Sequence, residues 1–300
     1  MSWFEISLAL PRAQLPEVER AFADLGAQAV TLTDADPDTP DANAILEPAS
    51  GEMPVWDAVV ASALFDDAVD RAGLVHVLHE LVPALTPGQV SFAEVADRNW
   101  TRAWMDRFGP MRFGTRLRIH PSHIADVEDD ADAVIVRLDP GLAFGTGTHP
   151  TTALCLEWLD SLDLAGREVI DFGCGSGVLA IASLALGARH AIGVDNDPQA
   201  LAASRDNAGR NGVAERLELF SADDFIGAPA DVLVANILAG PLVALSTRLA
   251  GLVRPGGLIA LSGILAAQRE DVSCAYRDRF DEIDSVERDG WLRICGRRRV

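Results

Sequence analysis

The 300-residue sequence predicts an α/β fold, in which a small α+β unit precedes a larger unit built on a mostly parallel sheet. Three observations support this prediction. The first 95 residues show the order β-α-β-β-α-β. From residue 134 onward, strand-like apolar runs alternate with helical patterns. Within that second region, the segment Val169–Gly177 joins a strand to a helix through three glycines at alternate positions.

Composition indicates a globular protein of two ordinary domains. The sequence is 49% hydrophobic, which is enough for a packed core in each domain, and no apolar run reaches membrane-spanning length. We expect no signal peptide, because no basic segment precedes an apolar core near Trp3. The cysteines show no paired spacing, so neither a metal site nor a disulfide framework is predicted, and we expect a cytoplasmic protein. They are Cys155, Cys174, Cys274 and Cys295.

The formal net charge of −20 is distributed unevenly along the chain. Residues 1–100 contain 17 acidic residues and 4 arginines, whereas Arg98–Arg118 contains six arginines and one acid. An acidic N-terminal unit does not favour nucleic acid as a partner. Two interpretations of this surface remain: it keeps the protein soluble, or it attracts a basic partner. All 25 basic residues are arginine, so the chain has no lysine.

Residues 1–97 are predicted to form a ferredoxin-like domain that recognises the substrate. Their apolar spacing indicates four strands and two helices in the split β-α-β order, a common scaffold for docking partners. The predicted elements are Trp3–Ala9, Gln14–Leu25, Ala29–Thr33, Val55–Leu64, Asp66–Leu81 and Gln89–Val95. The segment Asp34–Ser50 is rich in Asp and Pro and is predicted to be a loop.

Residues 98–133 are predicted to link the two domains. Arginines alternate with aromatic residues in Asn99–Gly114, a composition that can stack on nucleic-acid bases. Trp100, Trp104 and Phe108 also have helical spacing, which is typical of an amphipathic connector. We favour the connector.

The glycine turn of the second domain predicts a ligand site. Arg167–Phe172 has the pattern of a buried parallel strand and Val178–Leu186 that of a helix, so Gly173–Gly177 is a short connecting loop. Glycine has no Cβ to block a ligand, and the N–H groups of the first helical turn face the same crevice. A nucleotide-like cofactor binds at this position in open α/β sheets, although a glycine turn alone also fits a plain packing turn.

Polar residues at the next strand ends favour the cofactor. Asp195 stands 22 residues after Gly173, where an acid binds a ribose diol. Asp223 follows the next strand and is placed to accept a hydrogen bond from an adenine amino group, and Asn236 ends the strand after that. These three strands are predicted at His190–Val194, Leu217–Phe220 and Asp231–Ala235.

A second glycine-rich segment, Asp139–Thr152, leads from the predicted strand Val134–Leu138 into a helix that Pro150 can open. Two glycines flank threonines there, so backbone and hydroxyl groups gather at a helix N-terminus. His149 in this segment is either a structural residue at the helix start or a catalytic base. We favour the structural interpretation.

The remaining elements complete a domain over residues 134–300. Helices are predicted at Pro198–Asn211, Pro241–Leu252 and Ala266–Tyr276. Strands are predicted at Leu258–Ser262, Glu282–Glu287 and Trp291–Gly296. The last two strands are close in sequence and therefore predict an antiparallel hairpin. This ending departs from the two repeated halves of a dinucleotide-binding fold.

At this point three motifs show a resemblance. Asp171–Gly177 with Asp195 and the hairpin ending resembles the Rossmann-like, seven-stranded methyltransferases that use S-adenosylmethionine. The segments Leu138–Thr152 and Asn236–Pro241 resemble, more narrowly, the ribosomal protein L11 methyltransferase family. The similarity covers the second domain closely. The first domain is similar mainly in architecture.

The resemblance implies methyl transfer from S-adenosylmethionine to lysine side chains and the N-terminal amine of a basic protein of the large ribosomal subunit. It implies that Thr152, Gly173, Asp195 and Asn236 bind the cofactor, and we interpret Asn236 as the catalytic residue that orients the amine. We extend the predicted cofactor site to Phe144, Gly145, Asp171, Gly175 and Asp223. We expect a monomer that binds neither membrane nor nucleic acid.

Three alternatives stay open. A nicotinamide-dependent oxidoreductase shares the glycine turn and Asp195, but its third glycine is usually one residue later. A nucleic-acid amino methyltransferase also uses an Asn after the fourth strand, but it normally places proline and an aromatic residue next, and Ile237 and Leu238 cannot stack on a base. An interaction module that merely retains the fold is the third.

Overall fold

In a computed structural model, the described residues are 3–36, 56–86, 88–95, 109–122, 124, 132–138 and 149–300. The chain divides into two compact units, Met1–Trp100 and Thr101–Val300. Most of the predicted loop at residues 34–50 and most of the predicted connector at residues 99–114 lie outside the described residues. Within the described part of the chain, no helix is both long and apolar enough to cross a membrane.

The first unit is a four-stranded antiparallel sheet with two helices. Its elements are β1 (Trp3–Pro11), α1 (Leu15–Asp24), β2 (Ala29–Asp34), β3 (Ala58–Asp66), α2 (Arg71–Leu81) and β4 (Val90–Val95). The strands lie in the order β2-β3-β1-β4. The order of elements along the chain is as predicted, and the ferredoxin-like assignment stays our interpretation of that order.

Alternation along β1 builds the core of this unit. Phe4, Ile6, Leu8 and Leu10 are buried, whereas the residues between them are partly or fully exposed. These side chains belong to one apolar cluster with residues of α1 and α2. Period-two burial on a strand requires one covered face, so the two helices pack on that face of the sheet.

Helix α2 begins later than predicted. The sequence pattern placed its start at Asp66, but β3 continues to Asp66 and the helix begins at Arg71. Asp70 is the N-cap residue, and its carboxylate accepts hydrogen bonds from the Ala72 and Gly73 amides at 3.2 and 3.1 Å. An Asp side chain satisfies amides that have no partner within the helix, so its position fixes the helix start.

The second unit contains a small sheet, of which the sequence pattern predicted only the last strand. Its strands are β5 (Met111–Phe113), β6 (Leu117–His120) and β7 (Val134–Arg137). β5 pairs antiparallel with β6, and β6 pairs parallel with β7. The predicted linker, residues 98–133, therefore contains two folded strands. β5 and β6 are too short to show a period, so only their pairing with other strands reveals them.

A seven-stranded sheet forms the rest of the unit. Its strands are β8 (Glu168–Phe172), β9 (His190–Asp195), β10 (Leu217–Ser221), β11 (Ala230–Asn236), β12 (Val253–Leu265), β13 (Phe280–Arg288) and β14 (Trp291–Arg298). They lie in the order β10-β9-β8-β11-β12-β14-β13. β14 is antiparallel to both of its neighbours, and the other pairs are parallel. The predicted parallel sheet with a terminal hairpin is confirmed.

Helices cover both faces of this sheet. They are α3 (Pro150–Ser161), α4 (Val178–Ala185), α5 (Pro198–Arg210), α6 (Ala239–Ala244), α7 (Ser246–Gly251) and α8 (Arg269–Tyr276). Along β11, Val232 and Val234 belong to one apolar cluster, whereas Leu233 and Ala235 belong to another. An unbroken apolar strand is expected wherever both faces of a parallel sheet are buried.

One predicted helix of the second unit is divided in two. The sequence pattern gave a single helix over Pro241–Leu252, but α6 ends at Ala244 and α7 begins at Ser246. Leu245 between them has φ −91° and ψ 3°, outside the helical region of backbone space. The strand predicted at Leu258–Ser262 is longer than expected and extends over Val253–Leu265.

Asp160, near the end of α3, attaches the small sheet to that helix. It is 5% exposed, and its carboxylate accepts backbone hydrogen bonds from Thr115 (2.6 Å), Arg116 (3.3 Å) and Leu117 (3.1 Å). Burial raises the pKa of Asp160, but the hydrogen bonds from Thr115 and Arg116 outweigh it and hold the pKa below its usual value. The β5–β6 turn is therefore held by one ionised carboxylate.

We predict that Asp160→Asn lowers the free energy of unfolding by about 1 to 3 kcal/mol. Asn replaces one of the two acceptor oxygens with an NH2 group, which cannot accept a hydrogen bond from a backbone N–H. A carboxylate whose pKa is lower in the folded state than in the unfolded state stabilises the fold at pH values above its unfolded-state pKa. The difference between wild type and variant should therefore shrink as the pH falls below about 4. Urea denaturation at several pH values measures it. Asp163→Asn, at an exposed position on the same segment, is the control, and equal losses in both variants would contradict the anchoring role.

Candidate active site

The glycine turn lies at the carboxyl edge of the sheet, between β8 and α4. Gly173, Gly175 and Gly177 have φ values of +80°, +53° and +78°, in the left-handed region that other residues rarely adopt. Parallel strands end at the same edge, so this turn lies beside the ends of β9 and β11. Three alternate glycines are therefore required by backbone conformation.

Asp195 fastens the glycine turn to the neighbouring strand. One carboxylate oxygen accepts the Gly175 amide at 2.8 Å, and the other accepts the Asp197 amide at 3.0 Å. A carboxylate oxygen has two lone pairs, so each oxygen can accept one further hydrogen bond. The carboxylate predicted to bind a ribose diol thus also holds the turn.

Helix α5 supports the turn from behind. Ser204 donates to the Gly175 carbonyl at 2.9 Å, and Asn207 donates to the Ser176 carbonyl at 2.9 Å. Both side chains are buried. Neither residue was predicted from the sequence, although a signal exists: polar residues three apart on the helix face that otherwise packs against the sheet.

A cavity of about 210 Å³, here called the donor cavity, opens beside the turn. It is lined by Thr152, Gly173, Cys174, Gly175, Val178, Leu179, Asp195, Asn196, Asn236 and Ile237. Five predicted site residues therefore meet at one place, although they come from four separate segments of the chain. These five are Thr152, Gly173, Gly175, Asp195 and Asn236.

Two other predicted cofactor residues, Asp171 and Asp223, do not line the donor cavity. Asp171 is fully buried and accepts the Ala180 amide, in the first turn of α4, at 3.0 Å. It supports the helix below the turn and does not line the cavity. Asp223 lies exposed in the turn after β10, also outside the lining. Phe144 and Gly145 lie outside the described residues.

A second cavity of about 310 Å³, here called the acceptor cavity, adjoins the first. It is lined by His149, Thr151, Asn236, Ile237, Leu238, Gly263 and Trp291. Asn236 and Ile237 line both cavities and so form their shared wall. Trp291 was not predicted to lie here, because it belongs to the terminal hairpin, more than 50 residues beyond Asn236 in sequence.

His149 begins helix α3 and forms one side of the acceptor cavity. It is the N-cap residue, and its Nδ1 accepts the Thr151 amide at 3.4 Å and lies 2.7 Å from the Thr151 hydroxyl. Its ring meets Trp291 edge-on, with centroids 4.9 Å apart. Burial lowers the pKa of His149, so the ring is neutral at pH 7. The structural interpretation of His149 therefore accounts for its contacts.

Asn236 is held by the start of the same helix. Its side-chain nitrogen donates to the Thr152 hydroxyl at 3.2 Å, and Thr152 is fully buried. An amide nitrogen only donates, so the amide oxygen is the side-chain atom that can accept a hydrogen bond from a ligand. The shared wall therefore presents an acceptor with a fixed orientation.

Comparison with known proteins indicates one family. The family model described as ribosomal protein L11 methyltransferase (PrmA) matches residues 2–299. Two proteins named ribosomal protein L11 methyltransferase match over 100% of both chains. That of Pseudomonas paraeruginosa (strain DSM 24068 / PA7) is 55% identical, and that of Xanthomonas axonopodis pv. citri (strain 306) is 50% identical. The crystal structure of a ribosomal protein L11 methylase from Lactobacillus delbrueckii subsp. bulgaricus matches with a TM-score of 0.59 at 30% identity. It covers 64% of this chain and 100% of that chain.

We predict that the free energy of unfolding of Asp171→Asn increases relative to that of wild type as the pH rises. Burial, with a smaller contribution from the Asp195 charge, raises the pKa of Asp171 to about 7. Between about pH 4 and pH 7 the folded chain keeps a proton that the unfolded chain releases, so the wild-type free energy of unfolding falls over this range. The expected change is on the order of 2 to 3 kcal/mol between pH 5 and pH 7.

Urea denaturation at pH 5, 6, 7 and 8 measures this difference. An Asn at this position still accepts the Ala180 amide, so the variant tests charge while keeping the hydrogen bond. Asp223→Asn, at the exposed turn after β10, is the matched control. Parallel pH curves for wild type and Asp171→Asn would show that the buried carboxyl group is not protonated near neutral pH.

Proposed function

The chain belongs to the ribosomal protein L11 methyltransferase family, and we propose that it methylates the L11 protein of the large ribosomal subunit. The methyl donor is S-adenosylmethionine. The acceptors that we propose are lysine side-chain amines and the N-terminal amine. The observation that best supports amine transfer is the wall that Asn236 and Ile237 form between the donor and acceptor cavities.

The donor cavity fits the cofactor in two respects. Each oxygen of Asp195 accepts one backbone amide and retains a lone pair for a ribose hydroxyl. Gly173 lines the cavity and has no Cβ, so its backbone is open to a ligand. The sulfonium group of the bound cofactor supplies an activated methyl, so the protein needs mainly to align the amine and exclude water.

The acceptor cavity favours a neutral amine. A lysine side chain with a pKa of ~10.4 is protonated at pH 7, and losing that proton costs about 4 to 5 kcal/mol. An apolar environment lowers the pKa of an amine, which reduces this cost. Trp291, Leu238 and the neutral ring of His149 provide such an environment. Aliphatic and aromatic walls also suit the methylene chain of a lysine.

Asn236 is proposed to orient the amine. Its side-chain nitrogen is fixed on Thr152, so its oxygen can accept one N–H of the incoming amine and direct the nitrogen lone pair toward the donor cavity. No residue is required to act as a covalent nucleophile. A base amine is a less well supported acceptor, because Ile237 and Leu238 follow Asn236 where base-modifying enzymes place stacking residues.

The acidic N-terminal unit is proposed to recognise the substrate. Residues 1–100 have 13 more acidic than basic residues, counting 17 acids and 4 arginines. Ribosomal proteins are generally basic, and an acidic surface attracts them while repelling bare RNA. This attraction is screened over roughly 8 Å at physiological salt, so substrate capture should weaken as the ionic strength rises.

We predict that L11 incubated with the enzyme and methyl-labelled S-adenosylmethionine gains label on lysine and on its N-terminal amine. The enzyme contains no lysine, so every methyl-lysine found after complete hydrolysis comes from the substrate. Mass spectrometry of L11 peptides identifies the positions. Heat-denatured enzyme and purified ribosomal RNA are the controls, and label on RNA with none on L11 would contradict the proposed function.

We predict different effects for substitutions of Asp195 and Asn236, two of the polar residues that line the donor cavity. Asp195→Ala should weaken cofactor binding by on the order of 2 to 3 kcal/mol, because the ribose hydroxyls lose a charged acceptor. Asn236→Ala should lower kcat even at saturating cofactor, because the amine loses its orienting acceptor. Calorimetry gives the cofactor affinity, and initial rates give kcat.

Two results would contradict this assignment. If saturating cofactor restores the full rate of Asn236→Ala, then Asn236 does not orient the amine. If Asp195→Ala binds the cofactor as wild type does, then the ribose is held elsewhere. Asp223→Ala is the comparison variant, and a loss of affinity there would support the adenine contact that the sequence predicted at the turn after β10.

We predict that a fragment of residues 101–300 binds the cofactor with wild-type affinity but loses most L11 methylation. This fragment keeps β5 and β6, whose turn is bonded to Asp160. The acidic unit is absent from it, so the basic substrate is no longer captured. Calorimetry and the L11 assay measure the two properties. Equal methylation by the fragment and the full chain would mean that the acidic unit only confers solubility.

A further inference from the structure

Ile237 lies between two glycines from distant segments of the chain. Gly173 follows β8 and has φ +80°, and Gly263 lies within β12 and has φ +84°. A Cβ on Gly173 would overlap the Ile237 Cγ2 methyl. A Cβ on Gly263 would overlap the Ile237 carbonyl oxygen and lie 2.8 Å from its carbonyl carbon. The two bare α-carbons therefore enclose one residue of the shared wall, an arrangement here called the glycine clamp.

Gly263 is the extra residue of a β-bulge. Against β14, Ser262 pairs with Arg293 and Ile264 pairs with Leu292, so Gly263 has no partner of its own. Bulges of this kind place a glycine in the left-handed conformation and redirect the strand. Here the bulge turns the backbone of β12 toward the segment that follows Asn236, and Gly263 lines the acceptor cavity.

The Ile237 atoms beside the two glycines differ in how easily they can move. Beside Gly173 the obstacle is a side-chain methyl, which can move by rotating. Beside Gly263 the obstacle is backbone, including the Ile237 nitrogen at 3.2 Å from the same Cβ position. Backbone moves only if the whole turn moves, so Gly263 constrains the path of the chain directly after Asn236.

The packing around Gly263 and around the Asn236–Leu238 turn determines which of the two backbone segments would move. Ser262 and Ile264 on either side of the bulge are fully buried, and the Ser262 hydroxyl donates to the Leu292 carbonyl at 2.8 Å. By contrast, Leu238 in the facing turn is 47% exposed. A packed, hydrogen-bonded strand yields less than a turn with one side in solvent. A side chain at position 263 would therefore displace the Asn236–Leu238 turn.

We propose that Gly263 is a positioning residue for methyl transfer, because its bare α-carbon fixes the Ile237 backbone and thereby holds Asn236 at the wall between the donor and acceptor cavities. This inference rests on the amine-orienting role proposed for Asn236. An added methyl must move the turn by about 1 Å to restore ordinary van der Waals contact. A misplacement of that size lowers a transfer rate by about 10- to 100-fold.

The test compares two alanine variants of the same strand. Gly256 also lies in β12 and has φ +76°, but no atom lies within 4 Å of a Cβ added there. Gly256→Ala therefore introduces the left-handed strain without the overlap, and Gly263→Ala introduces both. For each variant we would measure the melting temperature, the cofactor affinity by calorimetry, KM for L11 and kcat.

Both variants should melt below wild type, and Gly263→Ala should melt lowest. Gly256→Ala should keep the wild-type kcat per folded molecule. Gly263→Ala should lose about 10- to 100-fold in kcat at saturating cofactor and L11, with cofactor affinity changed less than about threefold. A kcat for Gly263→Ala within twofold of that for Gly256→Ala would overturn the proposal, as would a loss that saturating cofactor restores.

If Gly263→Ala is unfolded at the assay temperature, its kcat per folded molecule is measured below its melting temperature, and a value within twofold of that for Gly256→Ala overturns the proposal. A second pair of variants tests the Gly173 side of the glycine clamp. Ile237→Ala adds no atoms and removes the side chain that fills the space beside Gly173, so it releases one side of the glycine clamp. Leu238→Ala removes the neighbouring side chain, which lines the acceptor cavity and has no atom within 4 Å of a Cβ placed on Gly173. The kcat loss should be several-fold larger for Ile237→Ala. Equal losses would overturn the contribution of the Gly173 side to the glycine clamp.

Wild-type enzyme in the same assay separates this inference from the proposed function. If wild type binds the cofactor but transfers no methyl to L11, the proposed function fails. If wild type is active and the two glycine variants do not differ in kcat, only the positioning role of Gly263 fails.

Discussion

The hydrogen bond from the Gly175 amide to Asp195 is the contact on which the site depends. It joins the turn after β8 to the end of β9, and it is possible only because Gly173, Gly175 and Gly177 adopt left-handed backbones. Two helical side chains hold the carbonyls of the same turn from behind. These hydrogen bonds hold the turn that bounds the donor cavity.

The active site separates two environments with one short wall. The donor cavity is bounded by bare backbone and a carboxylate, which suits a charged, hydroxylated cofactor. The acceptor cavity is bounded by Trp291, Leu238 and an uncharged His149, which suits an amine that must lose its proton. Asn236 and Ile237 belong to both cavities. In the proposed reaction, the position of their backbone controls whether donor and acceptor meet in line.

Three buried or half-buried aspartates show how contacts give one residue type different tasks. Asp160 accepts several hydrogen bonds, which lower its pKa despite burial. Asp171 accepts one, and its other oxygen has no hydrogen-bond partner among the described residues, so burial raises its pKa. Asp195 reaches the cavity and joins two strand ends. Only the last can bind a ligand, because the first two are committed to folding.

The sequence by itself determined the α/β class, the seven-stranded second domain and five of the residues that line the donor cavity. This was possible because left-handed turns demand glycine and because parallel strands end at one edge, so residue type and order specify position. Only the tertiary structure decided the rest. Ser204, Trp291 and Gly263 reach the site through packing between distant segments, and the small sheet depends on pairing between very short strands. Asp171 fits a ligand-binding pattern in sequence, yet burial directs its carboxylate to a helix amide. Contacts of this kind leave no periodic signal, since they depend on distances across the fold and not on spacing along the chain.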